Sequence, residues 1–490
     1  MAKIRVVLSY KGATAVIYPV FHSTEPRLCC TRSSMWNRRT VFVAAAASLA
    51  SPGPALAQMP DTRPGRRAEV EAIRRFAETT HPKGRDARSD PDWNARWDAL
   101  AAVAATASDG AYVVGIRRAL AWFRDGHTTV AVHANGETPE ALRQGEWALK
   151  MPLRLEVFDD GLWVTGAAAQ ASDLLGKRLL AIEGLPVDEI LRRHADAWTG
   201  SDAWAHAWAG EVLISMGDLV GLDVVRGSGR GAVHYLVQDA DGRTVEQALT
   251  PTAELPDLRP ATHRSGDIER WTAEAGGRNF LRVLEDGRTL FLSLDQMGDV
   301  DGHAFIDLTR AVIAALSEPS VQRIVIDLRR NPGGNNGLGE PLRKHLERSR
   351  LNRPGGIYVL IGPRTFSAAQ NLATRLERET YALFAGGPSG GAPNHYGDAA
   401  RMIGEATGLP VFVSSLPWFD SVPQDQRSSI LPDLPARWTH ADWQSGGDPA
   451  LAAVLADATA GQGDDVTLLR TFPYRRPSQT RAWAPFWRAD

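Results

Sequence analysis

Two short runs in the last third of the chain hold residue types able to do chemistry. Asp327-Leu328-Arg329-Arg330-Asn331-Pro332-Gly333-Gly334-Asn335-Asn336 joins adjacent glycines to polar side chains, and Gly362-Pro363-Arg364-Thr365-Phe366-Ser367-Ala368-Ala369-Gln370 sets a serine among small residues. Each follows a short apolar segment and opens a helical one, the position where α/β sheets place their ligands. Adjacent glycines let backbone N–H groups turn toward an anion, as an oxyanion hole requires. Each run also has a plainer reading: Gly-Gly as a turn, Ser367 as a helix N-cap. Far upstream, Asp125-Gly126-His127-Thr128 offers an imidazole. Such a ring titrates near neutrality and can accept and return a proton, although His127 could equally cap or staple a helical segment. His395 and His440 are competitors for that role. Gly387-Pro388-Ser389-Gly390-Gly391 formally matches a nucleophile elbow, which demands strand, sharp turn and helix. Ala392-Pro393-Asn394 does not open a helix, so Ser389 reads as a turn residue.

Elements must exist to carry these runs. From Arg67 to Phe123 the apolar positions Val70, Ile73, Phe76, Trp93, Trp97, Leu100, Val103, Ile116, Leu120 and Trp122 recur at three- and four-residue intervals, predicting a helical domain over 67–128. A β-rich module spans 150–251, with period-2 pieces at Leu153–Val157, Trp163–Thr165 and His234–Val237, and a strand and tight turn at Glu183-Gly184 leading into a helix. From 278 to 460 short apolar strands alternate with helices, at Leu290–Leu294, 303–316, Val321–Leu328, Ile357–Ile361, Ser367–Arg378 and Leu383–Ala385. That alternation predicts a layered α/β domain with largely parallel strands, followed by a tail over 461–490. Asn394-His395-Tyr396-Gly397-Asp398 reads as a loop after the Ser389 turn.

Composition narrows the function. The 490 residues carry 55 basic and 57 acidic side chains, a net charge of −2, so no basic field for nucleic acid is expected. The only cysteines, Cys29 and Cys30, are adjacent and have no zinc-site spacing. No Walker loop, dinucleotide fingerprint, HExxH or EF-hand occurs, and neither cofactor nor metal is expected. The tryptophans, among them Trp198, Trp204 and Trp208 near one helical face and Trp483 and Trp487 near the C-terminus, read as packing residues first and as a binding wall second.

The segment from Met35 has a basic start at Arg38-Arg39, an apolar run from Thr40 to Ala50 and an Ala-x-Ala site ending at Ala57. This is the order of a secretory signal over 35–57, too short for the roughly 20 residues of a membrane anchor. Residues 1–34 do not fit ahead of it and read as a spurious extension. The removed part would take seven basic residues (Lys3, Arg5, Lys11, Arg27, Arg32, Arg38, Arg39) against Glu25 alone, together with both cysteines, leaving an acidic, thiol-free chain for the periplasm or exterior.

Taken together, the runs resemble the S41 peptidases, the C-terminal processing and tricorn-core proteases. The resemblance rests on Asp327-Leu328-Arg329-x-Asn331-x-Gly333-Gly334, Thr365-Phe366-Ser367-Ala368-Ala369, Gly386-Gly387-Pro388-Ser389-Gly390-Gly391, Asp125-Gly126-His127-Thr128, Pro432-Asp433 and Gly447-Asp448-Pro449-Ala450-Leu451. It covers about 67–455. It implies a ClpP/crotonase-like catalytic domain, and a PDZ-like module in the β-rich middle, where Leu175–Gly184 matches most weakly. It also implies Ser367 as nucleophile, with an oxyanion hole from the amides of Gly333 or Gly334 and Ala368. The processing branch takes its base from a lysine after the serine, but the last lysine here is Lys344. The tricorn-like branch implies His127 instead, with an orienting acid well downstream, for which Asp425 is the choice and Asp398 the runner-up. A peptide or protein substrate follows from the same resemblance. The alternatives are a non-catalytic binder of peptides or hydrophobic ligands on the same scaffold, and a serine hydrolase acting on other bonds. N-terminal sequencing of exported protein should give a mature end just after Ala57; an end upstream of Met35 would rule out the assigned start.

Overall fold

The computed structural model describes residues 63–457 apart from 133–137, 144, 228, 255 and 301. The expected leader, signal segment and C-terminal tail lie outside the described residues. Four helices come first: α1 (Arg63–Thr80), α2 (Gly84–Ser89), α3 (Pro91–Val103) and α4 (Asp109–Leu120). Pro91 sits at the start of α3, where its missing N–H costs nothing, and Asp90 accepts from the Asp92 and Trp93 amides. Ser108 caps α4 through the Ala111 amide at 3.1 Å. Val70, Ile73, Trp93, Trp97, Leu100, Ile116 and Leu120 are buried, as their spacing predicts, whereas Val103 is half exposed. After α4 a 3-10 turn ends at Arg124, whose φ of 50° swings the chain into the short strand β1 (Thr129–Val130).

The middle of the chain builds an antiparallel sheet. Its strands are β2 (Leu153–Phe158), β3 (Gly161–Ala167), β4 (Arg178–Ile182), β5 (Leu185–Pro186), β6 (Val233–Gln238), β7 (Thr244–Leu249) and β8 (Arg259–Pro260). The path runs β2-β3-β4-β6-β7, with β5 on β4 and β8 on β3. The turn between β4 and β5 is at Glu183 and Gly184, both with positive φ, as the sequence suggests. Between β5 and β6 lie α5 (Val187–Ala197), α6 (Asp202–Val212) and α7 (Met216–Gly221). One hydrophobic cluster unites this sheet with the four N-terminal helices.

The remaining elements are α8 (Asp267–Glu274), β9 (Phe280–Val283), β10 (Thr289–Ser293), α9 (Phe305–Leu316), β11 (Arg323–Asp327), α10 (Glu340–Arg348), β12 (Ile357–Ile361), α11 (Ser367–Glu379), β13 (Leu383–Gly386), β14 (Asn394–Ile403), β15 (Pro410–Phe419), β16 (Leu434–Pro435), α12 (His440–Ser445) and α13 (Pro449–Ala456). Six strands form a sheet in the order β16-β13-β12-β11-β10-β9, parallel except for β9 against β10. Every residue of β10 and β12 is buried, the mark of a sheet covered on both faces. The architecture is thus a mixed α/β chain of helices and several sheets.

One expectation fails. Residues 394–398 are not a loop but the start of β14, which pairs with β15 over its whole length, and β15 takes β1 as its other neighbour. At its far end the hairpin meets α1, where Glu69 accepts from the Ala406 and Thr407 amides at 2.7 and 2.9 Å. This hairpin straps the C-terminal part of the chain to its first helix. No helix among the described residues is long and apolar enough to cross a membrane.

Burial pushes three imidazoles down from 6.5: His194 to about 4, His206 to about 3 and His395 to about 4. The unfolded chain takes up protons on these rings as pH falls through 6.5, while the folded chain resists until about 4, so stability is lost across that window. Thermal melting followed from neutral pH downward should show the midpoint dropping between 6.5 and 4; a flat midpoint over that interval contradicts the assignment.

Candidate functional site

Two loops at the C-terminal ends of parallel strands, one after β11 and one after β12, are held together by backbone and side-chain hydrogen bonds. Thr365 donates its hydroxyl to the Leu328 carbonyl at 2.8 Å, the Phe366 amide donates to the Asn331 carbonyl at 3.1 Å, and the Asn331 side chain donates to the Leu294 carbonyl at 2.9 Å. Ser367 follows at the head of α11 with φ of 52°, a left-handed conformation that costs a non-glycine residue about 1–3 kcal/mol. Its side chain does not cap the helix. The hydroxyl instead meets His127 Nε2 at 2.9 Å, across 240 residues of chain.

Gly333 is packed against this serine. Its φ is 118°, and a methyl there would lie 2.5 Å from Ser367 Cβ and 3.0 Å from both Ser367 Oγ and the Ala368 nitrogen. The sequence places the amides of Gly333, Gly334 and Ala368 in the oxyanion hole, and the structure separates them. The Gly333 N–H is spent on Asn331 Oδ1 at 2.9 Å. Those of Gly334 and Ala368 have no backbone acceptor among the described residues, and both flank Gly333 or Ser367. These two amides remain available for a developing negative charge.

The His127 ring is clamped on both faces. Phe366 stacks on one at 4.4 Å between centroids, and His395 on the other at 5.6 Å. His395 donates its Nδ1–H to the Ala392 carbonyl at 3.0 Å, and its depressed titration, owed first to burial and then to His127, keeps it from adding a second cation beside His127. Trp204 continues the stack on Phe366 at 4.0 Å. Gly126 is required here, because a Cβ would fall 2.8 Å from Phe366 and 3.1 Å from Trp204. Ser201, at the start of α6, donates to the Gly390 carbonyl at 2.7 Å and docks this aromatic wall onto the turn that follows β13.

The acid beside His127 is Asp125, which sequence reasoning missed. Its Oδ1 lies 3.7 Å from His127 Nδ1 and accepts the His127 amide at 3.1 Å, while Oδ2 accepts hydroxyls from Thr128 at 2.7 Å and Ser414 at 2.6 Å. Burial opposes its ionisation, but the His127 and His81 imidazoles beside it outweigh this and hold the carboxyl far below the usual carboxylate range. Asp425 does not fill the expected role. Its carboxylate is taken by Ser421 Oγ and the Arg427 guanidinium, both at 2.7 Å, and Arg427 in turn grips Glu377 with two bonds of 2.8 Å. The runner-up, Asp398, accepts from the Trp418 indole at 2.7 Å. Ser389 is a buried turn residue, as expected, donating to Gly391 and accepting from the Ile430 amide. His440 is instead stacked on Trp163 of β3 at 3.8 Å. The available signal for Asp125 was its place two residues ahead of His127, followed by a threonine able to fix its carboxylate.

Next to these loops opens a cleft of about 800 Å³, bounded by β2, α6 and the loops at Arg329 and Gly362–Arg364, with neither Ser367 nor His127 in its lining. Within it Arg364 lies over the Trp208 ring at 4.9 Å and pairs with Glu211 at 3.2 Å.

The chain has the fold of the S41-family peptidases. Among solved structures it is similar to mature CPAF, with a TM-score of 0.54 and 12% identity over 81% of this chain and 99% of that one. It is similar also to mature CPAF complexed with lactacystin, with a TM-score of 0.51 and 12% identity over 78% of this chain and 95% of that one. Tricorn protease aligns with 80% of this chain and 36% of its own at a TM-score of 0.40 and 12% identity. No family model and no curated protein matches the sequence.

Gly333→Ala should displace Ser367 and its neighbouring amide. Labelling by a fluorophosphonate is expected to fall by about 100-fold or more, because a misplacement near 1 Å at a reacting atom costs that much. Unchanged labelling would mean that the glycine does not set the serine's position.

Proposed function

We propose that the chain is an exported serine peptidase acting through an acyl-enzyme on Ser367. The observation that carries this reading is the 2.9 Å contact between a serine hydroxyl in a strained left-handed conformation and the Nε2 of a clamped histidine. A structural N-cap has no need of either feature.

In the proposed reaction His127 Nε2 takes the proton from Ser367 Oγ as the oxygen attacks the scissile carbonyl. The resulting imidazolium is stabilised by Asp125, whose contact with Nδ1 tightens as the ring gains charge. The Gly334 and Ala368 amides receive the oxyanion. His127 then gives its proton to the departing amine, and a water activated by the same ring releases the acyl group. This arrangement dispenses with the lysine of the processing branch. An extended peptide is the substrate favoured by the cleft, whose lining takes in β2 from Leu153 to Phe158. In the same reading the sheet from β2 to β8 serves as a PDZ-like module and the six-stranded sheet as a ClpP/crotonase-like catalytic domain. The signal segment from Met35 delivers the enzyme to the periplasm or exterior.

Ser367→Ala should abolish both fluorophosphonate labelling and cleavage of a peptide library. Asp125→Asn should lower labelling by roughly 10³–10⁴-fold, whereas Asp425→Asn should lower the melting temperature and leave labelling within a few-fold. Full retention in Ser367→Ala refutes the nucleophile, and a reversed order of the two aspartates refutes the acid. Labelling without cleavage of any peptide would assign the site to another ester or amide.

A further inference from the structure

Behind Asp125, on the side away from His127, stands a second imidazole. His81 follows the last turn of α1, its amide bonded to the Ala77 carbonyl at 3.0 Å. Its ring is fully buried, stacked on Phe123 at 3.9 Å and flanked by Tyr396 at 4.8 Å. The Lys83 amide donates to His81 Nδ1 at 3.0 Å. A nitrogen that accepts an N–H carries no proton of its own, so the ring proton resides on Nε2. That Nε2 lies 3.5 Å from Asp125 Oδ2 and has no hydrogen-bond partner among the described residues.

The carboxylate therefore stands between two imidazoles, with Oδ2 toward His81 and Oδ1 toward His127. Building on the reading of Asp125, His127 and Ser367 as the reactive group, we propose that His81 is a positioning residue, whose Nε2–H fixes the rotation of the Asp125 carboxylate and moderates the pull of that carboxylate on His127. The charged and titratable groups around His81 are few. Asp125 faces it from the loop after α4, and Tyr396 faces it from β14. Lys83 lies on its own turn with Nζ over the Tyr396 ring at 5.5 Å, and Asp86 belongs to α2. Burial, then Asp125 and Asp86, push the Tyr396 phenol up, so it stays neutral. His81 is thus the ring donor placed against the outer oxygen.

Two substitutions separate positioning from packing. His81→Phe preserves the stack on Phe123 but removes the N–H, whereas His81→Gln supplies an N–H at a similar reach. The pH titration of the His127 ring, followed by NMR in the full chain with labelled histidine and assigned with His127→Gln, does not depend on any hydrolysis. In His81→Phe the midpoint should rise by about half a pH unit or more, because Asp125 loses a donor and holds the imidazolium more strongly. In His81→Gln it should return toward the parent value. Fluorophosphonate labelling should fall about tenfold or more in His81→Phe and recover in His81→Gln. An unmoved midpoint in His81→Phe, or equal effects of both variants that track their melting temperatures, overturns the proposal. A moved midpoint in a chain whose Ser367 never labels would uphold the coupling and defeat the peptidase reading instead.

Discussion

A single buried anion sets the geometry of the whole site. Isolating a carboxylate from water is costly unless donors converge on it, and at Asp125 they come from three places in the chain. The Thr128 hydroxyl and His127 amide are local, the Ser414 hydroxyl comes from β15, and the His81 ring comes from the end of α1. Thr128 Oγ1 also accepts the Ser414 amide at 3.1 Å, so the loop and the strand lock each other. Satisfying that charge forces the first helix, the helix-to-strand turn and the long hairpin into one arrangement. His127 is carried along with it.

Ser367 is positioned by different means. Strain at Ser367 and at Gly333 is borne by the parallel sheet beneath them, whose strands β11 and β12 end at the two loops. The aromatic series Trp204, Phe366 and His127, closed by Gly126, where no side chain would fit, joins this half to the histidine half alongside the Ser201 and Ser414 hydrogen bonds. The Ser367–His127 contact therefore depends on a packing interface, in contrast to sites held on one rigid loop.

The local parts of this design were legible in the sequence, and the non-local parts were not. Ser367 and Gly333 lie in strand–loop–helix patterns whose periodicity is visible within a dozen residues, and their elements fall where the pattern puts them. His127 was reachable through residue type and a resembling motif. Asp125 was overlooked in favour of Asp425 because an acid two residues from its histidine reaches the ring only if the chain doubles back. That bend is the Asp125–Thr128 turn, in which the Thr128 amide donates to the Asp125 carbonyl at 3.2 Å and the His127 amide to Oδ1 at 3.1 Å, and a close approach at Gly126 leaves no room for a side chain. The hairpin was missed for a related reason. Leu416 and Phe419 project apolar groups into solvent, and β14 alternates poorly, so the period-2 signal is blurred where one face is not covered.

The distance along the chain between the two halves has a bearing on synthesis. During translation His127 emerges 240 residues ahead of Ser367, and the strand that holds Asp125, β15, comes later than both. Whatever Ser367 attacks, no partly made chain holds an assembled relay, and local opening of the Trp204 interface in the finished protein takes it apart again.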